Sequence, residues 1–413
     1  MRKKRGKKNR FVFLIVFFIF VSCFFGRFDI VFGFERNVAF AETTQTKSEI
    51  EKDLEKEVSS QLSHLDFSEV ESVLSSLSIE AKSLFSADSF KGKINYIISG
   101  KYAENSSGFF SSVIGIFWKD LKNYLPIIAT IISVAILGGM VSALRPVTGG
   151  KSIGNIVHFV TYGIVLVFLG ATVTQIVALT KNTLTSIKAI FDGIFPILLT
   201  LLTALGGSVS VGIYQPAIAL LGNLFVSLIT YFLLPLFIFS IVFAIVGNLS
   251  TNTKLDKFVS FLQSTFKWTI GLCFTIFLGF VSIQGIMAGS VDGLSIRTAK
   301  YAIKSYVPIV GGYVSDGLSI IMASSALIKN AVGGVGLFLL LATVVSPILN
   351  IAIFMLALKF MAGIIEPIGD KKIANFISDL SKSMAMLIAL LVAVAFMYVV
   401  LTGLIMCSAN LIV

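Results

Sequence analysis

Charge is what this 413-residue chain has least of. Only 13% of its residues are Asp, Glu, Lys or Arg, against 56% hydrophobic, where a soluble domain carries roughly a quarter charged. That leaves too little polar surface to cover a water-soluble particle. Residues 189–253 hold a single charged side chain, Asp192, and residues 383–413 hold none. A charge buried in a bilayer costs on the order of 2.5–3.5 kcal/mol by insertion scales, so runs this poor in charge belong in lipid. Cysteine is also sparse: Cys23 lies in the leader, and Cys273 and Cys407 lie in apolar runs. No two of them have metal-ligand spacing, so neither a disulfide framework nor a zinc site is suggested. The two histidines, His64 and His158, fall in different compartments. No P-loop, HExxH, GxSxG or CxxC pattern occurs, so no enzyme and no cofactor is expected.

Positive charge is the exception. The net charge is +11, but Arg2, Lys3, Lys4, Arg5, Lys7, Lys8 and Arg10 supply seven of it, leaving 11 − 7 = +4. A basic head before an apolar run sets membrane orientation, so nucleic acid is not an expected partner and the lipid bilayer is. The apolar run Phe11–Phe25 has the length of a signal-peptide core, and Ala39-Phe40-Ala41 offers a cleavage point. Residues 1–41 therefore read as a cleaved signal peptide, with retention as an anchor the alternative.

Residues 42–124 would then face outward. They carry thirteen acids and nine Lys/Arg and read as helical, with Ile50, Leu54, Val58, Leu62 and Leu65 recurring every three or four residues. Ser68 and Glu71 form a capping-box pattern. From Phe109 to Tyr124, the residues Phe110, Val113, Ile114, Phe117 and Leu121 form an apolar face. That pattern predicts a helix lying in the membrane interface, with Trp118 and Tyr124 near the headgroups. So thin a core calls for a cover. Docking on the membrane bundle and a solvated hairpin both remain open.

Residues 125–413 read as a polytopic all-α membrane bundle of about 6–8 spans. The apolar runs are Leu125–Leu144, Ile156–Leu179, Ile190–Gly206, Pro216–Val246, Phe266–Ala288, Tyr306–Ile328, Ala331–Met361 and Met384–Met406. Ile190–Gly206 is short and Tyr306–Ile328 is diluted by Gly, Ser and Asp316, so each reads as either a full span or a re-entrant segment. Pro196 and Pro235 are 39 residues apart, as are Pro308 and Pro347, at an offset of 112. This suggests a duplication, with halves at about 156–247 and 268–359. If both ambiguous segments cross, the halves are inverted; if neither does, they are parallel. Lys and Arg counts do not separate the two.

The candidate pore or transport residues are few. Asp316 sits in Gly311–Gly317, flanked by apolar residues; at membrane depth a carboxylate is functional or paired by default, and if the segment lies partly outside the bilayer it is simply solvated. Lys329 and Asn330 open the next run. Gly206, Gly207 and Gln215 break the chain between two apolar runs, as a plain turn or as helix ends able to form a site. Gly333, Gly334 and Gly336 suit close helix packing. His158, at the end of its run, reads as an interfacial anchor.

The block Phe195-Pro196-Ile197-Leu198-Leu199-Thr200, continuing to Gly206-Gly207 and Gln215-Pro216, and the later Leu327-Ile328-Lys329-Asn330-Ala331-Val332-Gly333, resemble the stage III sporulation protein AE family of endospore formers. The resemblance runs from the leader to the last span. It implies a permease-like protein in the mother-cell membrane around the forespore. There it would work in a secretion-like channel complex with other stage III sporulation membrane proteins and a cytoplasmic ATPase. The family supplies no catalytic residues to carry over. The expectation is thus a core membrane subunit of that apparatus, acting as export gate, platform or permease. The alternative is an autonomous secondary transporter of a small solute.

Overall fold

A computed structural model describes residues 44–85, 89–99, 106–143, 151–249, 255–306 and 311–408. The leader and its cleavage point, as well as Pro308, lie outside them, and the Asp316 side chain lies outside the described side chains. The chain divides into two compact units, residues 1–52 and 53–413. Of the first, only the opening of helix α1 (Thr44–His64) is described. The second contains the rest of α1 and everything discussed below.

The described residues are almost all helical, with no strand among them. Three short helices follow α1: α2 (Ser68–Ser76), α3 (Ile79–Phe85) and α4 (Phe90–Ile98). Next come α5 (Ser106–Ala143), α6 (Lys151–Ala204) and α7 (Ser208–Leu228). A five-residue π turn, Ile229–Leu233, joins α7 to α8 (Leu234–Leu249). The last three are α9 (Asp256–Tyr306), α10 (Gly311–Ile368) and α11 (Lys371–Cys407). Among the described residues, six helices, counting α7–α8 as one, are long and apolar enough to cross a membrane. The protein is an all-α polytopic membrane bundle.

Side-chain pairs fix the directions. Phe109 meets Phe338 and Tyr124 meets Phe354, so α5 runs parallel to α10. A Cβ on Gly336 would strike Ile194, and one on Gly139 would strike Ile368, while Gly138 lies against Thr161. Hence α6 runs against both α5 and α10. Tyr162 touches Phe376 and Phe191 touches Tyr398, which sets α11 parallel to α6. Phe225 meets Phe277 and Phe243 meets Phe258, so α7–α8 and α9 are antiparallel. The result is an up-and-down bundle in which α10 and α11 are the most buried. Their apolar residues point in all directions because other helices surround them.

Two expectations change here. The stretch Phe109–Tyr124 does not lie in the interface: it continues into the first span as the single helix α5, through Pro126. Ile116, Asp120, Tyr124 and Ile128 are buried, whereas Phe110 is 69% exposed and Ile114 57%. Apolar residues cover more than half of this helix's circumference, so periodicity cannot say which apolar side meets protein. Trp118 is exposed, but Tyr124 points inward.

Second, Ile190–Gly206 and Tyr306–Ile328 are neither separate crossings nor re-entrant loops. The former ends the 54-residue α6 and most of the latter opens the 58-residue α10. At 1.5 Å per residue these helices are about 80 Å long, far beyond a hydrocarbon core of about 30 Å. The excess apolar length is covered by the outer helices. Val70 of α2 abuts Gly193, Gln61 bonds Ser324 and Ser325, and Phe85 packs on Phe338. Val58, Leu62, Leu74, Leu84 and Phe90 are buried as a result. The amphipathic outer segment therefore docks on the bundle. Nor do the helix breaks keep the 112-residue offset: the break at 205–207 maps to 317–319, inside α10.

Local signals explain the ends. Gly206 adopts φ 82°, the left-handed conformation that glycine takes at least cost. With Gly207 N–H donating to Leu202 O (2.9 Å) and Gly206 N–H to Thr203 O (2.8 Å), it closes α6 in a Schellman turn. Asp370 caps α11 through Lys372 N–H at 2.9 Å. The capping box at Ser68 and Glu71 is not formed. Asp66 instead accepts from Ser68 N–H (2.9 Å), and Glu71 reaches across to cap α4, accepting from Phe90 N–H at 2.7 Å. The start of α4 lies close enough to capture that carboxylate.

Candidate functional site

Three polar clusters interrupt the apolar interior of the bundle. The first surrounds Lys329. Its side chain is fully buried on α10 and donates to the Ser408 carbonyl, at the C-terminal end of α11. A helix C-terminus presents unpaired carbonyls and partial negative charge, which favour an ammonium. Ser408 Oγ donates to Leu404 O (2.8 Å) and lies 2.9 Å from Tyr214 Oη, which leaves Tyr214 of α7 as donor between them. One lysine thus ties α10 to α11, with α7 joined through the serine. Gly333, one turn along, leaves no room for a Cβ, which would lie 2.5 Å from Met406. That close approach of α10 and α11 brings Lys329 to its carbonyl.

The sequence candidates divide around this cluster. Lys329 is at its centre, and Asn330 beside it keeps a buried Oδ1 without a partner. Gly206 and Gly207 form the turn that starts α7, at the same end of the bundle, and their geometry is that of a helix stop. Gln215 follows Tyr214 but is exposed and joins nothing here. Pro196, Pro235 and Pro347 are helix-interior or helix-start residues. Pro196 O accepts from Thr200 at 2.9 Å, a back-bond that helps a membrane helix continue past a proline.

The second cluster was not legible in the sequence. Asp120 of α5 is buried against α10, where Asn350 hydrogen-bonds its carboxylate and also accepts from Tyr124 Oη at 2.8 Å. Beside it, Lys119 pairs with Glu80 of α3 at 2.5 Å, and that bond holds the Glu80 carboxyl below its usual range. A further cation fastens the outer helices. Lys93 Nζ sits 5.2 to 6.0 Å from the rings of Phe338, Phe85 and Tyr96 and donates to Phe85 O at 3.0 Å. Burial pushes its ammonium pKa down. Cation–π contacts of this kind are worth about 0.5–2 kcal/mol.

The third cluster lies at the opposite end. His158 Nδ1 is 2.6 Å from Asp370 Oδ2, and its ring stacks on Tyr162, whose hydroxyl donates to Ile245 O at 2.9 Å. His158 is thus an anchor between helices, with Asp370 as the partner that the sequence did not suggest. The clusters place one buried cation and one buried carboxylate inside a membrane bundle, on helices that also carry the outer segment. Buried groups of this kind default to functional or paired roles.

The profile of the stage III sporulation protein AE family matches residues 89–409, which include all three clusters apart from Glu80 and Phe85. Stage III sporulation protein AE of Bacillus subtilis (strain 168) is 23% identical over 324 residues, 78% of this chain and 81% of that protein. No solved structure matches.

Proposed function

Because the chain belongs to the stage III sporulation protein AE family, we propose that it is a core membrane subunit of a sporulation channel between mother cell and forespore. It would sit in the mother-cell membrane around the forespore, as export gate, platform or permease-like component. Other stage III sporulation membrane proteins and a cytoplasmic ATPase would be its partners. The family match over residues 89–409 is the observation that carries this reading.

The architecture suits such a role. Six long helices anchor the chain in the bilayer. The outer helices are fastened to α10 by Gln61 and Lys93 and to α5 by Glu80 rather than hanging on a linker. A load or signal received on the outer segment would pass directly to α10, which carries both Lys329 and Asn350. The buried Lys329 and Asp120 are the groups through which a permease would act.

Deletion of the gene in the source organism tests the reading, with complementation by the intact chain and by Asp120→Asn. The deletion should block spore formation and the intact chain should restore it. Normal spores in the deletion strain would remove the proposal. Solute movement by the purified chain alone in liposomes would favour the autonomous transporter instead.

A further inference from the structure

Among the described residues, an apolar cleft of about 220 Å³ opens between α6, α8 and α11, lined among others by Leu166, Gly170, Val173, Val242, Phe376 and Leu380. Its one hydroxyl, on Thr174, is spent on Gly170 O at 2.9 Å. The cleft therefore offers a ligand no hydrogen-bond donor and one hydroxyl acceptor at most, and water needs two or more polar partners to stay in such a space. An alkyl chain needs none. The depth agrees: α6 has no Asp, Glu, Lys or Arg from Phe159 to Thr180, about 33 Å of helix and so about one hydrocarbon core. On α11, Lys382 is paired with Asp379 at 2.8 Å.

One end of the cleft turns polar on all three helices. On α11, Lys372 lies one turn before Phe376; on α8, Asn248 lies one turn after Ile245; on α6, His158 lies two turns before Leu166. Residues three or four apart share a helix face, so these groups lie on the faces that line the cleft. Tyr162 ties the three helices there, through Ile245 O and the Phe376 ring. A carboxylate only accepts, so the 2.6 Å contact to Asp370 places the His158 proton on Nδ1. Nε2 is buried with no partner. Asp370 is engaged twice, by His158 and by Lys372 N–H. Lys371, Lys372 and the α11 N-terminus supply positive potential at the rim, against Asp370 and the exposed Glu366.

We propose that this cleft is a binding site for an anionic phospholipid. One acyl chain fills the slot and the phosphate sits by Lys372. The inference is independent of the sporulation role.

The purified full chain is tested by native mass spectrometry and by thermal unfolding in detergent, with phosphatidylglycerol, phosphatidylcholine or glycerol phosphate added. Phosphatidylglycerol should be retained and should raise the Tm more than phosphatidylcholine, while glycerol phosphate without a chain should do nothing. Gly170→Leu fills the cleft, since a Cβ there meets nothing within 4 Å. It should keep the lipid-free Tm and lose both lipids. Lys372→Gln should keep chain binding and lower the preference for phosphatidylglycerol about fivefold. Equal retention of phosphatidylglycerol by the intact chain and both variants would overturn the site. So would crosslinking of Val242→Cys to a second copy, since a protein helix would then occupy the cleft.

Discussion

Gly139 is the point at which the packing of the bundle is most exposed to a single methyl group. A Cβ there would lie 2.5 Å from Ile368 O and 2.8 Å from Gly369 Cα, against an ordinary contact of at least 3.4 Å. The shortfall of 3.4 − 2.5 = 0.9 Å falls on backbone, which cannot rotate away as a side chain can. Gly139→Ala must therefore push α5 off the turn that joins α10 to α11. Overpacking of this kind costs about 1–3 kcal/mol, while replacing helical glycine by alanine returns about 0.5–1 kcal/mol. A net loss of about 1–2 kcal/mol follows. Gly163, on α6, is the internal control, because its Cβ would meet nothing within 4 Å. Gly163→Ala keeps the propensity gain and has no clash, so it should stabilise by about 0.5–1 kcal/mol. Unfolding of both variants in mixed micelles should separate them by about 1–3 kcal/mol, in opposite directions from the parent. Equal shifts, or a stabilised Gly139→Ala, would refute the close approach of α5 to that turn.

Three further outcomes follow from the polar clusters. Lys329→Ala removes three buried methylenes, each worth about 0.8 kcal/mol, so it should unfold about 2–3 kcal/mol sooner than Lys329→Met, which keeps most of that bulk. The Glu80 carboxyl is held low by Lys119, so its contribution is present above its unfolded pKa, near 4.5, and is lost as pH falls through the lower folded value. This exposed-edge pair is worth about 0.2–1 kcal/mol. Limited proteolysis of α3 should accelerate as pH falls below about 4.5, and Glu80→Gln should remove that acceleration. Lys93→Ala, which empties the site between Phe85 and Phe338, should speed hydrogen exchange in α3 and α4 about 2- to 30-fold while leaving α11 unchanged.

The sequence carried the membrane bundle, because long runs without charge have one physical home and Asp192 alone interrupts residues 189–253. It carried the tight packing at Gly333 and Gly336, where small residues let helices approach. It did not carry the fate of Ile190–Gly206 and Tyr306–Ile328. Both are apolar for a reason that hydropathy does not distinguish from lipid, since the outer helices cover them. Lys329 was visible as a charge beside an apolar run, but its partner is a backbone carbonyl 79 residues away, which no side-chain pattern encodes. Asp120 does not stand out in the sequence because it lies among charged neighbours, Lys119 and Lys122. Only the rotation of α5, set by its contacts with α10, turns it inward. The same rotation exposes Phe110 and Ile114.

The outer helices and the Gly206–Gly207 turn share one end of a six-crossing bundle, with His158 and Asp370 at the other. The direct test is side-specific labelling of single cysteines in a chain freed of its three native ones, at the exposed positions Ser76, Ser208 and Lys371. Ser76→Cys and Ser208→Cys should react from the same side of the membrane and Lys371→Cys from the opposite side. Reaction of Ser208→Cys together with Lys371→Cys, and apart from Ser76→Cys, would contradict it.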